Sequence, residues 1–90
     1  MTEETRFRLA PPRHVRIAGL SLGVLAIKPD TVERAALLGI FHPDAGQPRT
    51  HRVRPGDEVP VAGRTVLIGD VVPGRGGYVE VTVRWPEELS

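Results

Sequence analysis

The segment Arg54-Pro-Gly-Asp-Glu-Val-Pro-Val-Ala-Gly-Arg-Thr-Val-Leu-Ile-Gly-Asp-Val-Val-Pro-Gly-Arg-Gly-Gly-Tyr-Val-Glu-Val-Thr-Val-Arg-Trp85 decides how this chain is read. From Tyr78 onward it alternates. Val79, Val81, Val83 and Trp85 fall on one face, and Glu80, Thr82 and Arg84 on the other, the period of a half-buried strand. Arg64 to Val72 is a more continuous apolar run, as a central strand is. Glu58 to Val61 is short and interrupted by Pro60, which cannot donate to a ladder, so it reads as an edge or a bulge. Pro55-Gly56-Asp57, Ala62-Gly63 and Pro73-Gly-Arg-Gly-Gly77 supply the turns between them. In the first of these, Asp57 is expected to bond the turn's own backbone.

Working outward, the same grammar continues toward the N-terminus. Phe7 and Leu9 alternate with Arg6 and Arg8 until Pro11-Pro12 stops the ladder. Val15 and Ile17 point inward and His14 and Arg16 outward. After Gly19, the run Leu20 to Ile27 is nearly apolar on both faces, with Leu20, Leu22, Val24 and Ala26 on one of them, and Pro29-Asp30 closes it. Arg49-Thr-His-Arg-Val-Arg54 is polar apart from Val53, the composition of a sheet edge. The segment 31–42 has two readings. As a strand it sets Arg34, Ala36, Leu38 and Ile40 on one face and leads into a His42-Pro-Asp-Ala-Gly-Gln-Pro48 hairpin loop. As a short helix over 31–38 it has Asp30 and Glu33 as a capping box and Gly39 as its stop. The strand reading is preferred, because its neighbours on both sides are strands and adjacent strands usually pair.

Nine prolines and ten glycines punctuate the 90 residues, and no linker divides them. The expected fold is all-β: one domain, an antiparallel sandwich or small partly open barrel of about seven short strands. A chain of this length buries about 60–65% of its unfolded surface, so the core is modest and aliphatic.

Composition excludes several chemistries. There is no Cys, hence no disulfide, thiolate nucleophile or cysteine-bound zinc. A net charge of +1 gives no electrostatic footprint for nucleic acid. Arg outnumbers Lys eleven to one, which fits a high-GC genome. The opening Met1-Thr-Glu-Glu-Thr-Arg6 is acidic, unlike a signal peptide. The longest apolar run is about half of what a spanning helix requires. A cytoplasmic protein is expected.

No catalytic residue can be named. Gly19-Leu-Ser-Leu-Gly23 has the letters of a hydrolase elbow without its strand-to-helix setting. Pro73–Tyr78 lacks both the helix and the Lys-Ser/Thr ending of a phosphate loop. His42 and His51 flank the hairpin loop with Asp44 between them, the ingredients of a two-His, one-carboxylate centre, but no His-x-His spacing supports it. No metal or cofactor is therefore expected. Asp70 lies within a strand and must reach water or pair, most simply with an Arg. His42, Asp44 and Asp70 form the candidate polar site. Arg49, His51, Arg52 and Arg54 form the densest basic patch and are the interaction candidates.

The segment Val53-Arg-Pro-Gly-Asp-Glu-Val-Pro-Val-Ala-Gly-Arg-Thr-Val-Leu-Ile-Gly-Asp-Val71 resembles small actinobacterial all-β proteins of unknown function. In these a strand, a Gly-Asp turn, a short strand, a Gly turn and another strand follow in order. Val66 stands where an aromatic residue is frequent in that group. The resemblance implies a fold and no activity.

The expectation that follows is a non-catalytic interaction or structural module that docks through edge strands or a surface patch, onto another protein or a second copy of itself. Strand addition is a common route for such edges, and guanidinium groups suit carboxylates on a partner. The alternative is a small-molecule binder or accessory biosynthetic enzyme with its site at a barrel mouth. A third reading is single-stranded nucleic-acid binding, disfavoured by the lack of aromatics among the basic residues. No membrane partner is expected.

Overall fold

The alternating run read from the sequence is the last of eight strands: β1 (Thr2–Leu9), β2 (His14–Ile17), β3 (Leu20–Ile27), β4 (Ala36–Phe41), β5 (Arg49–Val53), β6 (Glu58–Val61), β7 (Arg64–Val72) and β8 (Tyr78–Pro86). The computed structural model describes residues 1–29 and 32–89. The capping role considered for Asp30, and the start of the helix reading at Thr31, lie outside them.

The strands form two antiparallel sheets of four, in the orders β1-β8-β7-β6 and β2-β3-β4-β5. Read round the molecule the order is sequential, with β8 returning to pair β1 from Thr2↔Pro86 to Leu9↔Val79. This is the order of an up-and-down barrel, opened at two places and flattened into a sandwich. Each opening coincides with proline. Pro11-Pro12 lies between β1 and β2, and Pro55 between β5 and β6, with Pro60 inside β6. Proline removes a ladder donor, so pairing fails where a closed barrel would need it.

The valine row behaves as its period requires. Val79, Val81 and Val83 are fully buried, and they pack in one cluster with Leu9, Val66, Ile68 and Val71 of their own sheet. Leu20, Leu22, Val24, Ala36, Leu38, Ile40 and Val53 of the other sheet complete the cluster. Each such side chain stabilises by about 1.5–3 kcal/mol relative to exposure. The shortest principal extent of the molecule, 18 Å, matches two stacked sheets rather than a hollow barrel.

Residues 36–41 are strand, not helix. Ala36, Leu38 and Ile40 face the core while β4 pairs β3 on one side and β5 on the other. A short helix there is marginal alone, and it strips both neighbours of their ladder partner. Two bulges break the pairing. In β3 the register shifts between Val24 and Ala26, so Ala26 leaves the inward row of Leu20, Leu22 and Val24 and is exposed. In β7 it shifts between Ile68 and Val71, which turns Asp70 to solvent.

Two arginines tie the sheets together. Arg64, at the start of β7, donates through Nε to the Ala18 carbonyl (2.8 Å) and through Nη1 to the Ala62 carbonyl. Arg34 donates through Nη1 to the Val71 carbonyl (3.2 Å) beside the β7 bulge. The β5–β6 turn is anchored too. Asp57 Oδ2 accepts from the Arg54 amide at 2.8 Å, the local backbone bond its turn position predicts, and the Gly56 amide donates to the Ile68 carbonyl at 2.7 Å.

Candidate functional site

The two outer faces of the sandwich differ in chemistry. On the β1-β8-β7-β6 sheet, β1 and β8 present Glu4, Arg6, Arg8, Glu80, Thr82 and Arg84 outward, opposite one another in the register. Glu4 accepts two hydrogen bonds from Arg84, at 3.0 and 3.1 Å, and the Arg8 guanidinium lies 4.6 Å over the Tyr78 ring. Opposite charges and capped aromatics make this a solvated face.

The outer face of the other sheet lacks that cover. Leu25 is 55% exposed and Leu37 39% exposed. Along the strands from them, Gly23 and Gly39 pair directly across β3 and β4. The His14 ring lies over Gly23, so close that a Cβ there would stand 2.5 Å from its Cδ2. Gly39 has room, since a Cβ would meet only ordinary contacts at 3.8 Å. The result is a groove of about 250 Å³ with Gly23 and Gly39 in its lining and Leu25, Phe41 and Thr50 beside them. A second, more apolar groove of about 350 Å³ runs along Ala26, Ile27, Ala35 and Leu37 and is bordered by Lys28 and Arg52.

Strand β5 forms the margin of this face. Directly opposed residues of antiparallel strands point the same way. The pairs Ala36↔Val53, Leu38↔His51 and Ile40↔Arg49 therefore set Val53, His51 and Arg49 on the core side, with Thr50 and Arg52 outside. Val53 is buried, His51 half-buried and Arg49 exposed, so burial on the core side falls along β5 toward Arg49. Arg49 has no polar partner among the described residues, whereas Arg52 donates to Glu33 Oε1 at 3.0 Å and Arg54 lies 3.6 Å from the same oxygen. Lys28 Nζ approaches Glu33 Oε2 at 3.1 Å. The Lys28 ammonium, by hydrogen bond and by charge, holds the Glu33 carboxyl below its usual range, with Arg52 and Arg54 adding to it. All these groups are well exposed, so the network contributes little stability and mainly sets where charge sits.

On its free side β5 faces β6, which pairs only with β7. A cavity of about 190 Å³ lies between them, lined by Arg49 and His51 from one strand and Pro60 and Val61 from the other.

The residues singled out from the sequence thus separate into three places. Arg49, His51, Arg52 and Arg54 share one sheet margin. His42 and Asp44 meet at another: the Asp44 amide donates to His42 Nδ1 at 3.0 Å, and its carboxylate lies 4.0 Å from that nitrogen. An accepting Nδ1 places the proton of the neutral ring on Nε2. His42 is 7% exposed and packed where the β2–β3 turn closes over it; Gly19, at φ +80°, is so near that a Cβ there would sit 3.0 Å from Nε2. Asp70 does not join them. It lies six positions along β7 from Arg64, roughly 20 Å at strand rise, and it is exposed with no ion pair to an arginine among the described residues. Nor does any group of three or more metal-type side chains gather among the described residues. Among the described residues no Asp or Glu lines the grooves named above or those beside Arg16 and Gly74; their ionisable lining residues are Lys28, Arg52, His14, Arg49, His51 and Arg16.

Comparison with known protein families, with curated proteins and with solved structures gives no match to this chain. Sequence reasoning missed Leu25 and Leu37 as surface residues. The near-apolar run Leu20–Ile27 suggested burial on both faces, whereas an antiparallel sheet needs only one. Glu33, the anion that organises the basic margin, carried only a capping signal.

Proposed function

We propose that the chain is a non-catalytic interaction module that docks another protein through the outer face and β5 margin of its second sheet. The observation that carries this reading is the asymmetry of the two outer faces. One carries the Glu4–Arg84 ion pair and the Arg8 guanidinium over Tyr78, and the other leaves Leu25 and Leu37 exposed beside two grooves, one of them floored by Gly23 and Gly39. Partly apolar grooves with a polar rim are the anatomy of a docking surface. Among the described residues these grooves are lined by cations and no carboxylate, so those residues supply neither a general base of the usual acidic kind nor a hard-metal ligand set, which weighs toward docking over chemistry.

The test uses the full chain as bait in lysate of its source organism, beside a Leu25→Glu/Leu37→Glu double variant with a matching melting curve. The wild type is expected to retain a protein that then binds the purified chain in solution, and the variant to lose it. No retained protein, or one retained equally by both baits, contradicts the reading.

A further inference from the structure

Resting on that docking reading, we infer that the break between β5 and β6 is a receiving slot for an extended acidic strand of a partner protein, which adds to β5 as a fifth strand of its sheet. The backbone supplies the template. β5 pairs only with β4, so one edge of Arg49–Val53 keeps its outward amide and carbonyl groups unused by the ladder. The opposite wall cannot satisfy them in full, since Pro60 of β6 has no N–H. A cavity of about 190 Å³ already separates the two walls there.

Charge selects the occupant. The core-side row of β5 ends in His51 and Arg49, and the Arg49 guanidinium has no polar partner among the described residues. A strand added to β5 places alternate side chains on this row. Carboxylates at those positions meet an uncommitted guanidinium, a charge-assisted contact of the strong kind. Its other face borders Thr50 and the glycine-floored groove beyond, which suits apolar side chains. The partner segment is thus an alternation of Asp or Glu with apolar residues. A second copy is the weaker occupant. Pairing β5 with β5 about a two-fold axis brings Arg49, Arg52 and Arg54 of each copy together, and among the described residues Glu33 pairs with Arg52 and Arg54 but not with Arg49.

The experiment is selection of twelve-residue peptides from a display library on the intact chain, in parallel with an Arg49→Glu variant and the Leu25→Glu/Leu37→Glu variant. Arg49 is exposed and unpaired, so its reversal leaves the fold in place. Expected on the wild type is enrichment of sequences with carboxylates at every second position. The best synthetic peptide should bind one-to-one by light scattering, and Arg49→Glu should weaken it about tenfold or more. Enrichment that depends on Leu25 and Leu37 but shows no period-two acids and ignores Arg49 overturns strand addition and leaves docking standing. So does assembly of the chain into oligomers that Arg49→Glu abolishes. No enrichment on any bait overturns both.

Discussion

Leu22 and Leu25 lie three positions apart on one strand, share one chemistry, and have opposite surroundings. Leu22 is fully buried, set between Val15 of β2 and Ile40 of β4, while Leu25 occupies the bulge and is 55% exposed. Truncation to Ala removes three carbons. Fully buried, these carry about 0.8 kcal/mol each, or about 2.4 kcal/mol, and the cavity left behind raises the loss for Leu22→Ala into a range of roughly 2–5 kcal/mol. At Leu25 less than half of the side chain is buried and no closed cavity forms, so the loss is about 1 kcal/mol at most. For a domain of this size each kcal/mol shifts Tm by about 4–8 °C. A loss of about 3 kcal/mol at Leu22 thus lowers Tm by roughly 12–24 °C, against no more than about 8 °C at Leu25. Urea unfolding of both variants gives the comparison directly, with m unchanged if the unfolded state is unaffected. Equal losses, or a greater one at Leu25, refute the assignment of inner and outer faces. With them falls the argument that Leu25 is free to serve a partner.

Three further outcomes follow from the same geometry. Arg64→Ala removes the donor to the Ala18 and Ala62 carbonyls and should cost about 1–3 kcal/mol in urea unfolding; Arg64→Lys should not restore it, because an ammonium lacks the planar fork. Gly39→Ala places its Cβ in ordinary contact on a regular strand, so it should stabilise by roughly 0.4–1 kcal/mol while narrowing the groove and weakening partner retention. Glu33 titrates below its ordinary value of 4.5 in the folded state, so its contribution is present above that value and is lost as pH falls through the lower, folded one. The small Tm advantage of the wild type over Glu33→Gln should hold above the ordinary value of 4.5 and shrink as the pH falls below it. An advantage unchanged at the acid end contradicts the ion-pair assignment.

The strand grammar was legible because two signals agreed along most of the chain. The period-two rows Val79-Val81-Val83 and Val15-Ile17 point inward as written, and Pro-Gly turns bound them. Pro60 and the polar Arg49–Arg54 segment announced edges, and both strands are edges. The bulges were not legible, since inserting Leu25 or Asp70 alters register without leaving any mark in hydrophobic periodicity. Hence period two alone sets Ala26 inward where the bulge exposes it, and of the two outcomes open to Asp70, water or an Arg partner, the bulge gives it water. The β4 segment was ambiguous locally, as Ala-Leu-Leu suits either state, and long-range pairing with β3 and β5 resolved it. The basic margin was visible as composition. Which of its arginines is committed to Glu33 depends on Lys28 and Glu33 meeting beside Arg52 and Arg54, a long-range contact that no local pattern encodes.

Amide hydrogen exchange along Arg49–Val53 tests the open slot most directly. In the free chain alternate amides of β5 should exchange at the rate of local fraying, while β4 and β8, paired on both sides, stay protected. The acidic peptide should then slow those same alternate amides. Uniform slow exchange along β5 in the free chain, as in a barrel closed against β6, contradicts the account, as does bound peptide that leaves them fast.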